Sequence, residues 1–219
     1  MNDRRNPRIS SRKEPKQARS AELVAAILEA AVQVLAKEGI QRFTTARVAE
    51  KAGVSVGSLY QYFPNKAAIL FQLQSDEWRE TVDLLRGILE EKERAPLERL
   101  RRLVHAFLRS ECEEAEIRVA LDDAAPLYRD APEAAQAKAS GSEIVRRFME
   151  EVLPGAREAD RLAAGELIKD TLSAVGQVFS ETPRSATEIE AYADAMADMF
   201  CAYLIGKGAD PAGTTAAYR

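Results

Sequence analysis

Apolar side chains recur every three or four positions along most of this chain. Val24, Ile27, Leu28, Ala31 and Leu35 fall on one face of a helix, and Gly39 stands where a C-terminal stop is expected. A longer stretch, from Asn65 to about Glu93, carries Ile69, Leu70, Leu73, Leu84 and Ile88 in the same rhythm. Pro96 and Pro132 each occupy a position that a first helical turn tolerates. Leu97, Leu103 and Phe107 follow the first of them, and Ile144, Phe148 and Val152 the second. Further helices are predicted over about 157–181 and 186–205. No alternating β-branched run or Asn-Gly turn signals a strand. The pattern predicts an all-α chain of about nine helices without a sheet.

The two ends break this rhythm. Residues 1–17 hold Arg4, Arg5, Arg8, Arg12, Lys13 and Lys16 with almost no apolar side chain to offset the entropy of ordering, so a flexible basic arm is expected there. The Gly-, Ala- and Thr-rich stretch 207–219 is expected to be a flexible tail.

Composition narrows the class. With 219 residues, 46% apolar and 30% charged, the chain has the makings of a globular protein with a real core, which excludes wholesale disorder and collagen. Cys112 and Cys201 form no CxxC pair, which excludes a disulfide scaffold and predicts free thiols in a cytoplasmic protein. The basic N-terminus lacks the apolar core of a secretory signal, and no run approaches the ~18–20 apolar residues that span a bilayer. The net charge of −4 conceals an asymmetry: residues 1–66 carry +6 and the remainder −10. A basic front on an acidic body fits a front end that meets a polyanion, or a basic tail on an ordinary acidic protein.

The segment 43–70, FTTARVAEKAGVSVGSLYQYFPNKAAIL, is the most informative. Thr44 can cap one short helix, with Phe43 and Val48 placed as a hydrophobic staple. Gly53 supplies the left-handed residue after it. Ser55 can cap a second helix, with Val54 and Leu59 repeating the staple. Helix, glycine-containing turn, helix is a helix-turn-helix. If Leu59 and Phe63 face a core, Gly57 and Gln61 face outward, flanked by Ser58 and Tyr60. A glycine within a helix costs up to about 1 kcal/mol, which makes sense where another surface approaches the backbone closely. Lys66, near the start of the next helix, opposes the helix dipole unless a phosphate sits there. The alternative is that both are tolerated surface residues.

This run resembles the DNA-binding domain of the tetracycline-repressor (TetR) family of bacterial transcriptional regulators. The resemblance spans Ala18 to about Leu70 and is densest at Val48-Ala49, Ala52-Gly53-Val54-Ser55, Gly57-Ser58-Leu59-Tyr60, Tyr62-Phe63 and Lys66. It implies an N-terminal DNA-binding domain over 18–64 and a ligand-binding and dimerisation domain over 65–206. It also implies a homodimer on double-stranded operator DNA and release by a small-molecule inducer. Thr44, Tyr60, Tyr62 and Lys66 resemble the family's phosphate-contacting set, and Thr45 is added to the DNA-binding residues. Ser55, Val56, Gly57, Ser58 and Gln61 resemble the part presented to the major groove. Val56 stands where many members place Lys or Arg, and Ala46 where some place a base-reading Arg. Val56 could touch a thymine methyl instead, and Arg47 is the nearest cation that could substitute. The arm at 1–17 could contact DNA or merely aid solubility.

In the body, Ile168, Leu172, Val175 and Phe179 form one stripe, and Ile189, Tyr192, Met196, Met199 and Tyr203 another, with small Gly165, Ser173 and Gly176 beside the first. Pattern alone favours monomer core for such stripes. The resemblance turns them into a dimer interface, a four-helix bundle that would set two recognition helices ~34 Å apart on a near-palindromic operator. Trp78, Phe107, Tyr128 and Phe148 are candidate pocket walls, with His105 or Asp122 as a polar handle; core aromatics and solvated polar residues are the alternative. Asp122-Asp123 and the acidic cluster 111–116 read as a solvated helix face. A single histidine without Cys/His spacing supports no metal site, and no phosphate loop or nucleophile motif appears, so no cofactor is expected and no catalysis. The expected protein is a ligand-responsive regulator, most often a repressor. The rivals are a non-inducible architectural DNA-binding protein and an all-helical enzyme.

Overall fold

The computed structural model describes residues 18–127 and 132–211, and among these the backbone is helical almost throughout, without a strand. Among the described residues nine α-helices follow one another: α1 (Ala18–Arg42), α2 (Thr45–Lys51), α3 (Val56–Tyr62), α4 (Lys66–Leu89), α5 (Pro96–Glu113), α6 (Ala115–Ala124), α7 (Pro132–Val152), α8 (Glu158–Ser180) and α9 (Ala186–Gly206). One 3-10 turn, Ala125–Leu127, follows α6. This is the all-α architecture that the hydrophobic periodicity predicts. Gly39 (φ 70°, ψ 171°) breaks α1 at the expected stop, and a short helical piece resumes to Arg42. Pro96 stands at the start of α5, where its missing N–H costs nothing. The arm at 1–17 and the residues from 212 onward lie outside the described residues.

The chain gathers into two compact units, divided inside α4 after Arg79, at the start of α6, and inside α7 after Lys138. The first unit has its own core. Ile27, Ala31 and Leu35 of α1 meet Phe43, Val48, Leu59 and Phe63, together with Ile69 and Leu70 from the start of α4. Leu121 and Ala124 of α6 join the same cluster. The helix-turn-helix unit therefore extends beyond residue 64, because the first turns of α4 and the apolar face of α6 complete its core. Arg118 of α6 is ion-paired to Glu77 of α4 at 2.5 Å, with both side chains largely enclosed.

The second unit is organised by α5, which packs against both α8 and α9. Its Leu100, Leu103, Val104, Phe107 and Leu108 are all buried. Arg99, on the same helix, is fully buried. It donates to the Leu89 carbonyl and the Glu151 carboxylate, and its guanidinium lies 5.6 Å from the Phe148 ring centre. A charge without solvent has to be met by partners of this kind. The Leu89 carbonyl is one of the last of α4, which the helix itself leaves without a donor.

A ladder of basic and acidic side chains sets α5 against α9. Arg101 pairs with Asp198 at 2.5 Å, His105 with Asp194 at 3.1 Å and Glu190 at 2.9 Å, and Arg109 with Glu190 at 2.6 Å. The basic positions rise by four while the acidic ones fall by four, the register of antiparallel helices. Each exposed pair contributes about 0–1 kcal/mol, so the ladder selects alignment more than it stabilises. Arg109 and then His105 hold the Glu190 carboxyl below its ordinary range. His105, expected as a polar handle for a ligand, is instead a rung of this ladder.

Two glycines of α8 allow close packing inside the subunit. A methyl at Gly165 would come within 3.1 Å of Val145 and 3.2 Å of Met149, both on α7. One at Gly176 would come within 2.9 Å of the Phe107 ring. The chain also stays packed past Gly206: the Gly208 and Ala209 amides donate to Ile205 and Leu204 at 2.9 Å each, and Ala209 is buried. Residues 207–209, expected in a loose tail, are thus packed, because a positive-φ Gly208 turns the chain back onto α9.

Gly176→Ala is expected to destabilise the chain by about 1–3 kcal/mol through overpacking against Phe107. Gly141→Ala, whose methyl would meet Val82 and Leu85 at 3.6 and 3.7 Å, should be neutral or stabilising by up to about 1 kcal/mol. Chemical denaturation of the two variants separates these outcomes.

Candidate nucleic-acid interface

Local chemistry builds the helix-turn-helix. Thr44 caps α2 from extended backbone, its hydroxyl oxygen accepting from the Arg47 amide at 3.3 Å. Phe43 and Val48 are both fully buried, as a staple requires. Gly53 takes φ 68°, which lets the Val54 amide return to the Ala49 carbonyl at 2.9 Å. Ser55 then caps α3, accepting from the Ser58 amide at 3.0 Å, while its hydroxyl pairs with that of Ser58 at 2.8 Å. Asn65 caps α4 in the same way, accepting from the Ala68 amide at 2.9 Å.

Burial of Leu59, Tyr62 and Phe63 on one side of α3 leaves Val56, Gly57, Tyr60 and Gln61 on the other. Val56 and Tyr60, one turn apart on that outward side, are each 39% exposed. At Gly57 a methyl would meet only the Ser55 hydroxyl, at 3.7 Å, so packing within the protein gives no reason for the glycine. The Tyr60 hydroxyl bonds to that of Thr45 at 3.1 Å and ties α3 to α2. Thr44 and Ser55 stand exposed at the two helix starts, and Lys66 is half-buried at the first position of α4.

Two expectations change. Tyr62, expected at a phosphate, is only 6% exposed and belongs to the core. It shares the face of Leu59, three residues back, so the ring follows that side chain inward. Arg47, expected as a possible base reader, is ion-paired to Glu38 of α1. Neither Glu38 nor the Asn65 cap is among the residues expected from the sequence; an Asn directly before the first residue of α4 is the signal for the second.

Comparison with known proteins agrees with this geometry. A family model described as "Bacterial regulatory proteins, tetR family" matches residues 27–73. Another, "Tetracyclin repressor-like, C-terminal domain", matches residues 95–207, more than half of the chain. The chain belongs to the TetR family of bacterial regulatory proteins. Among curated TetR relatives, the HTH-type transcriptional repressor KstR of Rhodococcus jostii is 31% identical over 66% of this chain and 66% of its own. The HTH-type transcriptional regulator TtgR of Pseudomonas putida is 42% identical over 36% of this chain and 38% of its own. The chain covers between 32% and 66% of the length of such relatives. The solved structure of the fatty acid degradation regulator FadR from Bacillus halodurans shares the fold, with a TM-score of 0.65 at 19% identity over 85% of this chain and 96% of that one.

In this TetR chain the candidate ligand residues are divided between the two units. Trp78 and Asp122 belong to the first unit, and His105, Phe107 and Phe148 to the second. Phe107 and Phe148 are buried in the second core, Asp122 is exposed, and Tyr128 lies outside the described residues. Among the described residues no group of three or more His, Cys, Asp or Glu side chains is placed to hold a metal, and no helix is long and apolar enough to cross a membrane. Burial pushes the Cys112 and Cys201 thiols above their ordinary range.

The stripes on α8 and α9 divide in a way that pattern alone could not show. Ile168, Leu172, Phe179, Ile189 and Met196 are buried within the subunit, as are Gly165 and Gly176, so little of them is left for another surface. Val175 and Tyr203 are half-buried, while Tyr192 and Met199 are exposed. Tyr192 stacks on Phe179 with ring centres 4.2 Å apart. The outward apolar face runs instead through Leu167, Ala174 and Val178 on α8 and through Tyr192, Ala195, Met199 and Ala202 on α9, with Val178 64% and Met199 51% exposed. Its signal in the sequence was that apolar residues continue beyond the stripe, almost all the way round α9.

Replacing Ser55 by Ala removes the α3 cap and should cost about 1 kcal/mol of stability. Denaturation midpoints for this variant and for Ser173→Ala, at an exposed position outside any cap, check the assignment.

Proposed function

We propose that this chain is a repressor that binds a near-palindromic operator as a homodimer and leaves it when a small molecule binds the body. The observation that carries the reading is the outward face of α3, with its exposed Val56 and Tyr60 and a Gly57 that internal packing does not require. A surface that must be approached to the backbone fits the floor of a major groove, which admits one α-helix. Thr44, Thr45, Tyr60 and Lys66 would hold phosphates, and Ser55, Val56, Gly57, Ser58 and Gln61 would face base edges. The repressor assignment draws on KstR, which its name describes as a transcriptional repressor.

Dimerisation would use the outward faces of α8 and α9, whose apolar side chains need a cover. A two-fold axis would repeat the reading head about one helical turn of DNA away, ~34 Å. Inducer binding in the second unit would act through α4, whose residues before and after Arg79 belong to different units. A coupling of about 1–3 kcal/mol would change operator affinity by roughly 5–150-fold.

Selection of bound fragments from the source genome at about 150 mM salt should return a few palindromic sites. Gly57→Leu should keep its fold, since open space surrounds that position, and lose at least about tenfold in operator affinity (~1.4 kcal/mol). Weak uniform recovery that vanishes with added salt would reject specific operator binding. Val178→Asp combined with Met199→Asp should shift the dimer to monomer in analytical ultracentrifugation without loss of helicity. An unchanged dimer would move the interface elsewhere.

A further inference from the structure

The chemistry of α3 points to the bases it reads, and this step rests on the operator-binding role proposed above. Four residues form the outward face of the helix: Val56, Gly57, Tyr60 and Gln61. Tyr60 is tied by its hydroxyl to Thr45 of α2, which holds the ring across the two helices. Gly57 has no side chain to read with. The hydroxyls of Ser55 and Ser58 bond to each other and to the cap, and a hydroxyl, which both donates and accepts, does not by itself select one base pair. Val56 and Gln61 are therefore the side chains of this face whose chemistry distinguishes one base pair from another.

What surrounds them matters as much. From Val56 to Tyr62 there is no Lys or Arg, and no Asp or Glu. The commonest specific contact in a major groove is a cation to the O6 and N7 acceptors of guanine, and cytosine is read by a carboxylate accepting from its N4 amine. The face of α3 can supply neither. Arg47 lies on the neighbouring helix and is ion-paired to Glu38. Lys66 stands at the start of α4, beyond the end of α3.

The residues present match the other base pair. A glutamine carboxamide has one donor and one acceptor side by side, complementary to adenine N6 and N7. A valine matches the only apolar group that a base edge offers, the thymine methyl. We propose that α3 reads A·T pairs, with the Gln61 carboxamide on an adenine and the Val56 methyls on a thymine methyl. Gly57, between them along the helix, lets both reach by bringing the backbone close. Discrimination then comes from A·T pairs under α3, and any G·C preference in the operator arises outside that contact.

The test is selection from random duplexes with the full-length protein at about 150 mM salt, for the natural chain, Gln61→Ala, Gln61→Lys and Val56→Ala. All three substitutions are on the exposed face and leave the core untouched. The natural chain should enrich a two-fold-related site in which an adenine position and a thymine position are discriminated roughly 5–150-fold. Gln61→Ala should flatten the adenine position alone, and Gln61→Lys should move it toward guanine. Replacing the read thymine by uracil, which removes only the methyl, should weaken the natural chain about fourfold. The same replacement should leave Val56→Ala unaffected.

A site whose Gln61-dependent position is guanine or cytosine would overturn the proposal. So would an A·T position indifferent to Gln61→Ala together with a uracil effect that survives Val56→Ala. Both results would leave operator binding standing. Failure to enrich any site would instead reject operator binding itself, and the base assignment with it.

Discussion

The two helices of the candidate reading head, α2 and α3, have seven residues each. Isolated helices need roughly 12–15 residues to be even marginal in water, because nucleation is costly and few bonds repay it. Their shape thus depends on one small core, in which Val48, Leu59 and Phe63 are fully or almost fully buried against α1 and the start of α4. Caps at Thr44, Ser55 and Asn65 satisfy amides that helices this short would otherwise expose in large proportion. Everything offered on the outside of α3 follows from what is locked on its inside. Leu59 and Tyr62 point inward, and the 3.6-residue turn then obliges Val56, Gly57, Tyr60 and Gln61 to point out.

The same dependence operates in the second unit on a larger scale. Helix α5 is buried along more than one face, and its neighbours α8 and α9 take their places from it. Apolar contact is non-directional and would tolerate sliding. Directional groups remove that freedom: the Arg101, His105 and Arg109 ladder on α9, the Phe107 ring against Gly176, and Arg99 on the terminal carbonyl of α4. Helix α4 deserves its length, because its first turns complete one core and its last carbonyl is held in the other unit.

Much of this was legible in the sequence. Period, prolines and glycines located the helices, and the cap residues with their staples placed α2 and α3 to within a residue or two. Such features are local, so the neighbours in sequence that determine them are visible in sequence. The outward position of Gly57 and Gln61 was legible for the same reason.

Tertiary structure alone decided which surface a given side chain meets. Tyr62 is polar enough for a phosphate, yet it follows Leu59 into the core. Arg47 is a free cation by sequence, and Glu38, on another helix, pairs with it. His105 could have faced a ligand, but two carboxylates on α9, more than eighty residues away, engage both ring nitrogens. On α8 and α9, apolar residues fill more than one face, and a period of 3.6 says nothing about which face turns toward the chain's own core. That choice was made by α5, which buries Ile168, Leu172 and Met196 and leaves Val178 and Met199 outside. Helix position is a local property of the chain; the partner of each helix face is set by long-range packing, which sequence order does not display.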